Sequence, residues 1–367
     1  MEWSGLLETL GERPVAVAGG ALIGVAFGAL AQRSRFCLRA AVVEVARGEW
    51  LADARTRSPE NGHKLAVWLL TFATAVVVAQ ALILAGWLDV SGARQLATRG
   101  SLSGAVLGGL LFGIGMILAR GCASRQLVVA ATGNLRALLT GLVFAVTAQA
   151  SLSGLLAPLR TAVAGWWTVD GGARDLLALA SLGHGGGLVV GLMWLAAAAL
   201  AVRRAQLPLR PALAAAGVGG CVAAAWWFTA TLAGQSFEPL PVQSLSFTGP
   251  SADMLMQVLA PLTKPLGFDT GLVPGVVLGA FLAAWRGGDL KLEGFQGGEM
   301  MRRYIAGAIC MGFGGMLAGG CAVGAGISGA AIFAVTSWLT LVSMWLGATL
   351  TDRWLDQPQH RLVLVAG

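Results

Sequence analysis

The sequence predicts an all-α polytopic membrane protein, and three observations carry that prediction. Apolar residues make up 56% of the 367 positions and charged residues only 12%, against about 25% charged in soluble domains. Mean hydropathy is +0.73, and apolar runs long enough to cross a bilayer recur along the whole chain. Two Gly-rich apolar runs also end in the same tripeptide, Gly121-Cys122-Ala123 and Gly320-Cys321-Ala322, 199 positions apart. Gly108, Gly113 and Gly115 fall on Gly307, Gly312 and Gly314 at that same offset. A repeat centred on cysteine, in a chain with only five cysteines, marks an internal duplication.

The spans, taken in order, are expected at 14–31, 65–88, 102–118, 135–150, 184–202, 211–233, 270–285, 303–318 and 337–350. That makes about nine transmembrane helices, the shorter ones Gly-rich and interior. The first is long enough to remain as a span, so no cleaved leader is expected. Glycine and alanine at small-xxx-small spacing suit close helix approach in lipid. The net charge of +7 raises the question of nucleic acid, but the basic residues sit in short loops and form no stripe or tail. One alternate set of loops holds 19 of the 25 Lys and Arg, the other set 6, and none lies mid-span. The positive-inside rule then puts the N-terminus outside and the C-terminus in the cytoplasm. Trp87, Trp166, Trp167, Trp285 and Trp354 fall near span ends, as interfacial anchors do.

On this topology the run before Cys122 travels inward and the run before Cys321 outward, so the repeats are inverted copies. Inverted repeats build transporters whose sites lie near the midplane at interrupted helices. The halves are expected at 1–183 and 184–367, within one integral membrane domain. Four apolar pieces are too short to span: Phe36–Ala46, Ala123–Ala131, Asp253–Ala260 and Ala322–Val335. They read as re-entrant half-helices, with turns supplied by Gly121 in one copy and by Gly319, Gly320, Gly324 and Gly326 in the other.

Cys122 and Cys321 therefore stand at the starts of short helices, where free N–H groups favour an anion. A soft thiol suits a sulfur-bearing anion better than phosphate or carboxylate. A thiolate would repel a dianion, so neutral thiols are expected. The alternative is that both merely pack, as buried free cysteines often do. Cys37, beside Arg33, Arg35 and Arg39, either guards the cytoplasmic mouth or packs. Arg120 and Arg125 flank Cys122, with Gly319 and Gly324 at the matching places of the other copy. They either draw the anion inward or are ordinary positive-inside residues; Arg125, inside the dipping helix, is the better candidate. Asn134 and Ser328 offer donors or serve as caps and packing. Cys221 and Cys310 read as packing residues. His63, His184 and His360 are scattered, so no metal site is expected. HGGGLVVG at His184 is no nucleotide fingerprint, and no cofactor is assigned.

Leu118–Arg136 (LARGCASRQLVVAATGNLR), Gly319–Gly329 (GGCAVGAGISG), Arg33–Ala41 (RSRFCLRAA) and Ser244–Asp253 (SLSFTGPSAD) resemble the YeeE/YedE sulfur-transport family over nearly the whole chain. The resemblance implies an inner-membrane permease with an inverted-repeat hourglass that takes up thiosulfate. It also implies that Cys122 and Cys321 pass the ion along by thiol–sulfur hydrogen bonds. A small soluble sulfur carrier of the TusA type often accompanies such proteins, and no fused copy is expected in this sequence, whose length the nine spans account for. Some members are linked to selenium compounds instead. A membrane sulfurtransferase with a persulfide on Cys122 is the alternative from another class, though no histidine lies near either motif to serve as its base.

Overall fold

The computed structural model describes residues 9–51, 63–260, 265–295 and 297–356. His360 lies outside them. In chain order the helices are α1 (Glu12–Ser34), α2 (Leu38–Ala46), α3 (Lys64–Leu84), α4 (Leu102–Leu118), α5 (Ala123–Ala131), α6 (Leu135–Ser153) and α7 (Ala157–Gly165). They continue as α8 (Gly183–Ala205), α9 (Leu209–Gln235), α10 (Thr248–Leu259), α11 (Phe268–Gly287), α12 (Gly298–Leu317) and α13 (Val335–Thr351). Every expected span is met by a helix, and seven are long and apolar enough to cross a membrane. The other two fall short for visible reasons: α12 opens on Glu299, Arg302 and Arg303, and α13 has only 17 residues. Both pack against α4.

Boundaries differ where backbone turns decide them. α3 stops at Leu84, short of the expected 88, because Gly86 turns left-handed (φ 71°). The N–H groups of Gly86 and Trp87 then bond back to Ile83 and Leu82, a Schellman closure. α10 begins five residues ahead of the expected Asp253. Pro250 is at home in its first turn, where no N–H is needed. A two-residue strand pair, Gly100–Ser101 (β1) with Thr168–Val169 (β2), has no imprint in the pattern.

Helix pairing follows the glycines. Lipid gives no hydrophobic drive between helices, so they associate where small residues let backbones touch. α1 and α11 run parallel, with Gly20, Gly24 and Gly28 against the face that carries Gly271, Gly275 and Gly279. α4 and α12 run antiparallel: Gly104 meets the Leu317 carbonyl, Gly108 meets Gly314, and Gly115 meets Gly307. α13 packs parallel to α4, and α9 antiparallel to α1. α8 rests on α3 through Gly187 and Gly191 and leaves Val189, Leu192, Met193 and Leu200 exposed.

One face of the bundle is held by charge. Arg47, after α2, grips the fully buried Asp352 after α13 with two bonds, 3.1 and 2.8 Å. Arg303 and Arg39 meet Asp356 at 2.6 and 3.8 Å, and Arg136 lies 4.8 Å over the Tyr304 ring. On the other face Arg174 is buried among carbonyls of Arg94 and Thr98 and the Thr336 hydroxyl. Burial, with Arg94 nearby, pushes its guanidinium down to about 10. Asp352→Ala strands Arg47 without its partner, and the expected loss is about 2–4 kcal/mol, the scale for breaking a largely buried pair. A thermal midpoint in detergent unchanged from wild type would show that the pair contributes nothing.

Candidate functional site

Three helices end in the same turn, and each turn delivers a cysteine. After α1, Arg35 is left-handed (φ 53°), and the N–H groups of Arg35 and Phe36 bond to Gln32 and Ala31. After α4, Arg120 (φ 54°) and Gly121 bond to Ile117 and Met116. After α12, Gly319 (φ 81°) and Gly320 bond to Met316 and Gly315. These are Schellman motifs, followed at once by Cys37, Cys122 and Cys321. A Cβ on Gly320 would fall 2.8 Å from the Ala325 amide, so the turn admits no side chain there. Gly121 leaves room for Gln126, which bonds the Ala119 carbonyl at 2.6 Å. Because α4 and α12 are antiparallel, the Cys122 and Cys321 turns lie at opposite ends of that pair.

Each cysteine heads a short helical segment. Cys37 is the N-cap of α2 and Cys122 the N-cap of α5, nine residues each. The Ala40 and Arg125 amides face the two sulfurs without closing a cap bond. At Cys321 the bond closes: Gly324 N–H donates to Sγ at 3.4 Å. The segment after it holds a π-helical turn, Gly324–Gly329. All three thiols are free and buried.

The two ends are dressed differently. The Cys37 and Cys122 thiols lie close enough to interact electrostatically, and Ser124 Oγ lies 3.4 Å from Cys122 Sγ. Cys37 and Cys122 are thus neighbours, although they follow different helices. Arg125 stands on α5 within electrostatic reach of both thiols. At the other end Cys321 Sγ accepts a second N–H, from Phe247 at 3.3 Å. Two amides donating to one sulfur leave its S–H proton available to donate outward. Phe247 belongs to the loop segment Ser244–Phe247, which dips into the bundle. Ser244 Oγ bonds the Val222 carbonyl at 2.7 Å, and Ser328 Oγ bonds the Leu245 carbonyl at 2.8 Å. Gly324 packs against Ser246, and Phe247 rests on Phe27 with ring centroids 5.2 Å apart.

Asn134 lies away from the thiols, at the far end of α5. Its Oδ1 caps α6 by accepting from Ala137 N–H, and its Nδ2 donates to Glu293. Cys221 is buried inside α9 and Cys310 half-buried in α12. Arg94 reaches the Gly319 carbonyl at 3.2 Å, so the Cys321 turn does receive a guanidinium, but from a distant loop. Thr248 is buried with its hydroxyl unpartnered, next in chain to Phe247 and facing Gly315. Sequence reasoning passed over it. Its signal was the Pro250 that starts α10 and so fixes where Phe247 and Thr248 must sit.

Comparison with known proteins settles the family. A family described as sulphur transport matches residues 33–350, from just before the Cys37 turn to the end of α13. The chain belongs to this sulphur-transport family. Its match takes in all three cysteine turns and makes the chain a multi-pass membrane protein of sulphur transport. The chain is 25% identical over 364 residues to a thiosulfate transporter, TsuA, of Escherichia coli K12, covering 94% of this chain and 96% of the relative. It is 26% identical over 343 residues to a TsuA of Spirochaeta thermophila, covering 89% and 96%.

Proposed function

We propose that this member of the sulphur-transport family is a bacterial inner-membrane permease for thiosulfate. The antiparallel α4/α12 pair carries the reading, because it presents the same turn, cysteine and helix start at each of its two ends. The N-terminus is outside and the C-terminus cytoplasmic, in keeping with the distribution of Lys and Arg. Residues 1–183 and 184–367 form inverted halves of an hourglass, with α8 lacking a counterpart in the first half.

Thiosulfate offers a soft terminal sulfur and three hard oxygens. In the outer half, Cys321 S–H donates to the terminal sulfur, while the unpartnered Thr248 Oγ–H meets an oxygen. The ion passes to Cys122 and Cys37, whose thiols receive it at the starts of α5 and α2. Gly121, Gly320 and Gly324 give the backbone its close approach, and Ser328 holds the Ser244–Phe247 segment over Cys321. The donors on this route are thiols, hydroxyls and amides, and the ion moves by exchanging hydrogen bonds, without covalent chemistry. The chain carries thiosulfate unchanged and leaves its conversion to soluble enzymes. A TusA-type sulfur carrier on the cytoplasmic side is the expected recipient of its sulfur.

Uptake of labelled thiosulfate into cells lacking other thiosulfate importers tests the proposal, and background uptake with the protein in the membrane would reject it. Selenium oxyanions should compete poorly if thiosulfate is the substrate. Thr248→Val keeps the volume and removes the hydroxyl. Its half-saturation concentration should rise about three- to tenfold, the scale of one hydrogen bond, at unchanged protein level.

A further inference from the structure

Two guanidiniums end beside the inner thiol pair with donor atoms unused. Arg125, in the first turn of α5, has a buried Nη1 with no hydrogen-bond partner, and it forms no ion pair among the described residues. Arg39, in α2, has a buried Nε in the same condition; the carboxylate it pairs with, on Asp356, is 3.8 Å away, and Asp352 is also near. Both lie within electrostatic reach of Cys37, and Arg125 also of Cys122. The other charges near Arg125 are Arg35 and Asp289. α2 and α5 start at these cysteines, so two sets of helix-end amides converge on the same place.

Buried donor atoms without partners are costly. A chain that keeps one beside two thiols and two helix starts has built an anion site. The outer copy lacks it: Gly324 stands where Arg125 would, and Ser246 fills the space.

We propose that Arg125, backed by Arg39, anchors a binding site for the oxygen end of a divalent sulfur oxyanion, whose sulfur end meets Cys37 and Cys122. The identity of the ligand rests on the transport reading; the site itself rests on the unpartnered guanidinium atoms. A dianion arriving from the outer half, where the Arg94 guanidinium is committed to the Gly319 carbonyl, meets here guanidinium atoms that have no partner. The inner half is therefore the tight half, and it favours dianions over chloride or nitrate.

Calorimetric titration of the purified full-length protein tests this, with thiosulfate, sulfate and chloride as probes. Wild type should bind thiosulfate, sulfate more weakly for want of a terminal sulfur, and chloride more weakly still. Arg125→Gln should weaken thiosulfate binding by about ten- to a hundredfold, the scale of losing one charge-assisted hydrogen bond. Its remaining affinity should depend less on salt than that of wild type. Arg125→Lys, which keeps the charge but not the fork, should fall between the two and decides the matter should Arg125→Gln fail to purify as a folded species. Wild-type affinity and salt dependence in the Gln variant, or in the Lys variant if that alone folds, would overturn the site. Arg125-dependent binding without any cellular uptake would instead overturn the transport reading and leave the site standing.

Discussion

Cys122→Ala and Cys321→Ala should each reduce thiosulfate uptake to the background of cells without the protein, while both variants still insert in the membrane. The Cys122 and Cys321 thiols stand at the opposite ends of the α4/α12 pair, so each is needed if the ion passes both. Loss of volume is small, and free cysteine behaves in packing much like a small hydrophobe. Cys321→Ala has one structural cost that Cys122→Ala lacks: the Phe247 and Gly324 amides lose their acceptor, at about 1–3 kcal/mol. Cys321→Ser separates the two effects. Its oxygen can still accept those amides, so stability should return, while uptake should stay low if the soft sulfur is what thiosulfate requires. Cys221→Ala and Cys310→Ala should transport as wild type. Uptake normalised to protein in the membrane is the measurement, and full uptake by both alanine variants would end the relay.

The second large effect is on folding. Gly24→Leu should leave little or no monodisperse protein, because the α1/α11 contact is made backbone to backbone. A Cβ at Gly24 would sit 2.5 Å from the Leu272 carbonyl oxygen and 3.1 Å from the Val276 amide. Neither atom belongs to a side chain that can turn aside. Relief requires the helices to separate, and Gly20 and Gly28 on the same face would lose their contacts too. Gly220→Leu, in α9, is the control, since nothing lies within 4 Å of an added Cβ there. Size-exclusion profiles of fluorescently tagged variants compare the two directly. A sharp wild-type peak for Gly24→Leu would mean that this contact does not hold the bundle together.

How much of this was legible in the sequence depended on what kind of force fixed each feature. Bilayer thickness fixes span length, so all nine helices were readable, and the ends that moved did so at left-handed turns such as Gly86. The Cys122 and Cys321 turns were readable because each keeps a glycine before its cysteine. The Cys37 turn has the same hydrogen bonds but puts Arg35 and Phe36 where the others have glycine or arginine and then glycine. Its kinship to the others lies in backbone geometry, which residue types do not record. The pairing of Cys37 with Cys122 is tertiary, as is the descent of Ser244–Phe247 onto Cys321, and no periodicity announces either. Ser328 and Asn134 showed the reverse: their polar chemistry was plain, but the hydroxyl and amide are committed to Leu245, Ala137 and Glu293.

The π-helical turn after Cys321 bears on how the two halves can be compared at all. Up to Cys321 the copies match at an offset of 199 positions. Beyond Gly329 they match at 200, since Asn134 and Ala334 both head the next helix and Gly133 and Phe333 both carry the left-handed backbone. An extra residue in an α-helix would swing everything downstream by about 100° and advance it about 1.5 Å; the wider π turn absorbs it locally. The one-residue difference between the copies is thereby taken up without disturbing α13, and the duplicates are not interchangeable. A graft of the Cys122 half-helix into the second half must be cut one residue short of the sequence offset, or α13 will arrive out of phase with α4.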